Sequence, residues 1–143
     1  MKLLPIIIPL AALFSVASAF EIRYDPTYDN AQGSMSSVAC SDGANGLSNT
    51  YHTFGDLPSF PHIGAAQAVE GWNSPECGSC WRLSYKQNEA TTATTIYVTA
   101  IDQTVNGFTI SEKALKDLGG DQALAAGHID ASATQVNGSY CGF

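Results

Sequence analysis

The stretch GWNSPECGSCW, residues 71–81, carries two cysteines, Cys77 and Cys80, in a C-x-x-C pair. Such a pair has three common meanings: a redox centre, half of a zinc site, or two cysteines that each bond elsewhere. A redox pair normally sits between a strand and a helix N-terminus, which lowers a thiol pKa. This pair instead lies in a turn rich in Gly, Asn, Ser and Pro, and no helical pattern follows it. A zinc site needs four ligands, usually as two close pairs. The other cysteines, Cys40 and Cys141, form no second pair, and His52, His62 and His128 show no matching spacing. The reading is therefore two disulfides, with no metal and no cofactor. Four cysteines allow three connectivities. A Cys77–Cys80 bond would constrain little. Either of the other pairings ties distant segments to this turn, each loop being worth about 3–4 kcal/mol in the chain-entropy model.

The N-terminus supports an oxidising compartment. It reads MKLLPIIIPLAALFSVASAF, with basic Lys2, an almost wholly apolar run and the small-residue signal Ala17-Ser18-Ala19. That is the pattern of a secretory signal peptide over residues 1–19. Pro5, Pro9 and the shortness of the run argue against a stable membrane anchor. The expectation is a secreted chain, extracellular or held in a cell wall, with one domain over residues 20–143.

The net charge is −7, from 6 Lys+Arg against 13 Asp+Glu, and loss of Lys2 with the leader makes it −8. This argues against nucleic acid and anionic membranes as partners. An acidic chain with few charges suits a neutral ligand such as polysaccharide.

Residues 20–143 contain no internal repeat, charge block or long linker. EIRYD at 21–25 reads as a first strand. GSMSSVACSDGANGL at 33–47 is dominated by small and turn-forming residues. Pro58 and Pro61 impose an extended bend. GAAQAVEG at 64–71 reads as a short helical turn. CWRLSYK at 80–86 alternates Trp81, Leu83 and Tyr85 on one face, and TTIYVTAID at 94–102 is a strong β run. Ser111 is an N-cap for a short helix, SEKALKDLGG, with Gly119 and Gly120 as its stop. DQALAAG adds a second helical piece, and HIDASATQV at 128–136 another strand. The pattern is mainly β with short helices, a compact barrel.

Asp102 ends the strongest strand and precedes a Gly-containing loop, a place for a catalytic or sugar-binding carboxylate. Glycoside hydrolysis usually needs a second carboxyl across the scissile bond. Asp25, Asp42 and Asp130 are the possible partners, but none lies in a recognisable motif. Nucleophile-elbow, zinc-protease and phosphate-loop motifs are absent. Tyr24, Tyr28, Trp72, Trp81 and Phe108 offer flat apolar faces with polar edges, suited to sugar rings. The alternation places Trp81 in the core and leaves Trp72 open. Asn137-Gly-Ser139 is an N-glycosylation sequon.

Several long segments, taken together, resemble the cerato-platanin family. They are YDPTYD at 24–29, VACSDGANGL at 38–47, LPSFPHIGAAQAVEGWNSPECGSCW at 57–81, VTAID followed by GFTIS, and DASATQV at 130–136. The resemblance covers essentially the whole of residues 20–143. It implies a six-stranded double-ψ β-barrel like the N-terminal domain of expansins, with Cys40 paired to Cys77 and Cys80 to Cys141. It also implies a small secreted fungal protein that binds chitin oligomers or cell-wall polysaccharide through a shallow polar surface. Expansin-like loosening without hydrolysis, assembly at interfaces and recognition by a plant receptor as an elicitor belong to the same family picture. The ligand-binding residues it implies are Asp102, Tyr24 and Asp25, the loop residues Asp42, Asn45 and Gly46, and Phe108 and Thr109. The family usually has asparagine where this chain has Thr109, whose hydroxyl offers fewer donors. In expansins and related endoglucanases the same place holds a carboxylate. Its replacement by Thr109 leaves Asp102 largely alone, which favours binding or loosening over weak glycosidase or transglycosylase chemistry.

Overall fold

The computed structural model describes residues 2–9, 18–89 and 91–143. The latter part of the apolar leader, residues 10–17, lies outside the described residues. Residues 2–9 have no regular secondary structure and are exposed. No helix among the described residues is long and apolar enough to cross a membrane.

Among the described residues six strands close a barrel. In chain order they are β1 (Ala19–Tyr24), β2 (Ile63–Ala66), β3 (Cys80–Tyr85), β4 (Thr94–Gln103), β5 (Phe108–Ile110) and β6 (His128–Val136). Around the barrel the order is β1-β5-β2-β4-β3-β6. β1 with β5 and β2 with β4 run parallel, and the other neighbours run antiparallel. Closure leaves no free sheet edge, so the backbone donors and acceptors of short strands are satisfied without a partner chain. This is the closed, disulfide-bearing barrel that the resemblance implies.

Two strands differ from the sequence reading. Residues 64–66 form the buried strand β2 rather than a helical turn. Their small side chains answer to close packing: a β-carbon on Gly64 would lie 2.3 Å from the Thr109 carbonyl oxygen of β5. Phe108–Ile110 is a strand, β5, too short to be seen by periodicity. The two expected helical pieces form one element, α1 (Glu112–Ala126), kinked at Gly120 with φ 73°. Ser111 caps it by accepting from the Ala114 N–H at 3.1 Å.

Among the described residues there are two apolar clusters. The larger joins the barrel interior to α1 and includes Ile22, Leu83, Val98, Phe108, Ile110 and Leu115. The smaller lies on the outer face of β2 and β4, under the segment between β1 and β2. It contains Tyr28, Met35, Val38, Phe54, Leu57, Ile63, Ala65 and Ile101. Cys40 bonds Cys77, and Cys80 bonds Cys141. The two cysteines of the C-x-x-C turn thus bond in opposite directions along the chain. One fastens the covering segment and the other fastens the C-terminus.

Candidate functional site

Asp102 reaches its position through a β-bulge. β2 and β4 pair as Gly64 with Ala100 and then Ala65 with Asp102, so Ile101 is the extra residue. A bulge re-aims the side chains that follow it. Here it sets Ile101 into the smaller core and brings Asp102 level with Ala65. Ala65 in turn pairs with Thr109, and Thr109 with Arg23. Paired residues on neighbouring strands share a face. Arg23, Thr109, Ala65 and Asp102 therefore form one row across β1, β5, β2 and β4. Ala65 is buried in the middle, Asp102 and Thr109 are half-buried, and Arg23 is exposed.

Three donors fix the Asp102 carboxylate. Tyr28 Oη donates to Oδ2 at 2.9 Å. The Ala39 N–H donates to Oδ1 at 3.0 Å, and the Gln103 N–H to the same oxygen at 2.9 Å. Tyr28 is held in turn by the sequence DPTYD. Asp25 N-caps a 3-10 helix, Pro26–Asp29, by accepting from the Thr27 N–H at 2.9 Å, with Pro26 at its first turn. At the other end Asp29 accepts from the N–H groups of Glu112 and Lys113, at 2.7 and 3.0 Å, and so clamps this helix to the start of α1. Burial, the adjacent Asp102 charge and the nearby Asp25 charge push the Tyr28 phenol well above the ordinary tyrosine range. Tyr28 is therefore a neutral donor at neutral pH. Tyr28→Phe leaves one carboxylate oxygen without its phenol donor. We expect it to lower stability by about 1.5–3 kcal/mol in urea unfolding, the range for hydrogen bonds to charged groups. A loss of under about 0.5 kcal/mol would show that water replaces the phenol at no cost.

The loop candidates serve a different contact. Asp42 Oδ1 accepts from Trp72 Nε1 at 2.6 Å. The Asn45 N–H donates to Asn73 Oδ1 at 2.8 Å, and Asn45 Nδ2 donates to the Asn73 carbonyl at 3.0 Å. Gly46 must be glycine because a β-carbon there would lie 2.2 Å from the carbonyl oxygens of Ser41 and Asp42. These residues dock loop 41–47 onto loop 71–74, beside the Cys40–Cys77 bond. The result is a Trp72 ring that is 62% exposed and held by its indole N–H. The Cys40 N–H donates to the Ile101 carbonyl at 3.1 Å, which places this loop pair next to the bulge.

Two expected ligand residues face elsewhere. Phe108 is 2% exposed, with the rings of Trp81 and Phe20 edge-on at 5.4 and 6.0 Å. Strand alternation turns Phe108 and Ile110 inward and Thr109 outward. Phe108 is therefore a core residue with no face to offer a sugar. Tyr24 shares its strand face with Ile22 and packs against the larger core, while Arg23 takes the face of Asp102. The tyrosine that meets Asp102 is Tyr28. Its signal in the sequence is the Asp-Pro start of a tight turn, with an aromatic two residues after the proline. Arg23 had no signal beyond strand alternation.

Near this row two shallow clefts meet at Thr104 and Val105. One is bounded by Gln67, Glu70 and Gln103, the other by Arg23, Asn106 and Thr109. Among the described residues no group of His, Cys, Asp and Glu is arranged to hold a metal ion. Asp130 lies on β6, paired with Glu21 of β1. Asn137 is exposed and N-caps the 3-10 helix Gly138–Cys141 through Oδ1, which accepts from the Ser139 N–H at 2.9 Å.

Comparison with known proteins follows the same lines. The family model described as cerato-platanin matches residues 20–143. The chain is 45% identical over 120 residues to Allergen Asp f 15 of Aspergillus fumigatus, covering 84% of this chain and 75% of that protein. Among solved structures it resembles cerato-platanin 2 from M. perniciosa, at TM-score 0.83 and 46% identity, over 88% of this chain and 100% of that one. It also resembles the fungal elicitor cerato-platanin in solution, at TM-score 0.74 and 37% identity, over 85% and 95% of the two chains.

Proposed function

This chain belongs to the cerato-platanin family, and on that premise we propose that it is a secreted, non-catalytic binder of neutral polysaccharide. The substrate class is chitin oligomers or related cell-wall chains. Asp102 accepts sugar hydroxyls at the centre of the site, with Thr109, Gln103 and Arg23 around it. The observation that carries the reading is the bulge that aims a half-exposed carboxylate outward, combined with three donors, two from the covering segment and one from β4, that hold it there. Such a group binds without rearranging, so little ordering cost is added on association. Three donors leave about one of the carboxylate's roughly four acceptor sites open to a sugar hydroxyl, an arrangement suited to orientation rather than proton transfer. Asp25 is occupied as a cap and Asp42 as the partner of Trp72. These capping and docking roles, with Asp130 on β6 away from the Asp102 row, favour binding over a two-carboxylate glycosidase.

Loosening follows from the same surface. A protein that exchanges water hydrogen bonds for sugar ones can compete for the bonds between polymer chains. Recognition by a plant needs only a stable exposed surface, and one solved relative, cerato-platanin, is itself a fungal elicitor.

NMR titration with chitotetraose tests the reading. The amides of Ala39, Gln103 and Thr109 should shift with a saturable curve, and the sugar should remain intact. Asp102→Ala should weaken this binding at least about tenfold while keeping the dispersed spectrum of a folded barrel. Unchanged affinity in that variant would remove Asp102 from the site. Cleavage of the sugar would overturn the non-catalytic assignment.

A further inference from the structure

A second surface lies on another side of the barrel. The 3-10 helix Gly138–Cys141 and the segment around Pro58 and His62 form the walls of a cleft, and Thr95 and Tyr97 of β4 form its floor. Tyr97 is paired with Arg82, and Arg82 with Thr134, so its ring belongs to the outer face of β4, β3 and β6. Asp102 belongs instead to the row on β1, β5, β2 and β4. Both sites lie on the outer face of β4, but Tyr97 sits beside β3 and Asp102, five residues further along, beside β2.

In this cleft the rings of Tyr97 and Tyr140 stack, with centroids 5.0 Å apart and planes 19° from parallel. Tyr140 is 57% exposed. Its inner face is covered by Tyr97, so much of what remains open is the outer face and the phenol edge. Neither phenol has a hydrogen-bond partner among the described residues. The stack does not rest on a loose terminus. The Cys80–Cys141 bond pins the adjacent residue, Asn137 caps the turn, and the Phe143 N–H donates to the Gly138 carbonyl at 3.1 Å. Gly142 lies against Pro58 on the opposite wall. His62 contributes an imidazole whose Nε2 is held by Asp117 at 2.8 Å.

The chemistry of the lining narrows the ligand. It holds no carboxylate and no amine or guanidinium. The lining itself gives an ionic ligand no Asp, Glu, Lys or Arg to pair with, the nearest being Asp117 on His62 and Arg82 beside Tyr97, while a neutral polyhydroxyl ring would find a flat apolar face with phenol hydroxyls at its edge. We propose that the Tyr97–Tyr140 cleft is a second saccharide-binding site, with a pyranose ring stacked on the open face of Tyr140 and its hydroxyls bonded to the phenols and the His62 ring. The proposal goes beyond the reading of Asp102 and does not depend on it.

The test is an NMR titration of the aromatic carbons in protein recovered from culture medium, with chitotetraose and cellotetraose as separate probes. Tyr97 and Tyr140 ring signals should shift and saturate with at least one probe, and should do so equally in Asp102→Ala. Tyr140→Ala should weaken this site about tenfold or more, the scale of an aromatic contact with its hydrogen bond. Tyr140→Phe, which keeps the stack, should lose less. Absence of saturable shifts with both probes would overturn the proposal. So would shifts that vanish in Asp102→Ala, or an unchanged affinity in Tyr140→Ala. Loss of binding at Ala39 and Gln103 alone would count against the Asp102 reading and leave this one standing.

Discussion

Replacing Cys40 and Cys77 together by serine should lower stability by about 4 kcal/mol, measured as the shift in urea unfolding of the otherwise intact protein. The bond spans 37 residues of chain. Without it the unfolded ensemble recovers the entropy of an open loop of that length. Cys40 is wholly buried, so a serine hydroxyl there adds a desolvation cost on top. The local consequence is as informative as the global one. The Ala39 N–H that holds Asp102 is the neighbour of Cys40, and the loop that carries Trp72 and Asn73 lies just before Cys77. Saccharide affinity at Asp102 should therefore fall even under conditions where the variant is fully folded. Removing the other bond, between Cys80 and Cys141, should loosen the Tyr140 turn and leave Asp102 untouched. A stability loss below about 1 kcal/mol for the Cys40 and Cys77 pair would contradict the entropic account.

The second large effect is expected at Phe54. It is 1% exposed, and its ring lies 6.1 Å from that of Tyr28 at a tilt of 44°. Phe54→Ala should cost about 3–5 kcal/mol in the same unfolding experiment, through lost burial and the cavity left behind. It should also weaken saccharide binding, because the smaller core is what backs the Tyr28 ring against β4. The physical point is that this core sits outside the barrel. Its task is to hold a covering segment, and that segment supplies two of the three donors to Asp102. A variant with the full stability loss and unchanged binding would show that Asp102 is held by the backbone donors alone.

Much of the framework was legible from residues. The strands at 80–85, 94–103 and 128–136 have alternating or β-branched runs long enough to show period two. The helix starting after Ser111 has a cap and an apolar stripe. The cysteine argument needed only an even count, a leader pattern and the absence of a redox or zinc context. Asp102 stood out because it ends the strongest strand. What periodicity missed were β2 and β5. Ile63–Ala66 is buried on both faces, and after Ile63 its residues are all small, so it has no alternation to read. Phe108–Ile110 is only three residues long, and tertiary pairing alone makes it a strand.

The site divides in the same way. Sequence by itself determined the composition of a disulfide-stapled, mostly β chain and, through its motifs, the family. It also marked the carboxylate most worth attention. Only the tertiary structure decided which side chains meet that carboxylate. A bulge at Ile101 changed the face that Asp102 occupies. Strand parity then sent Tyr24 and Phe108 to the interior and Thr109 and Arg23 outward. Tyr28 arrived from a turn far away in the chain, and Asp42 was taken up by Trp72. Local sequence encodes period and turn chemistry. Which face a residue occupies and which distant partner it finds depend on register across several strands, set when the barrel closes and both cores fill at once.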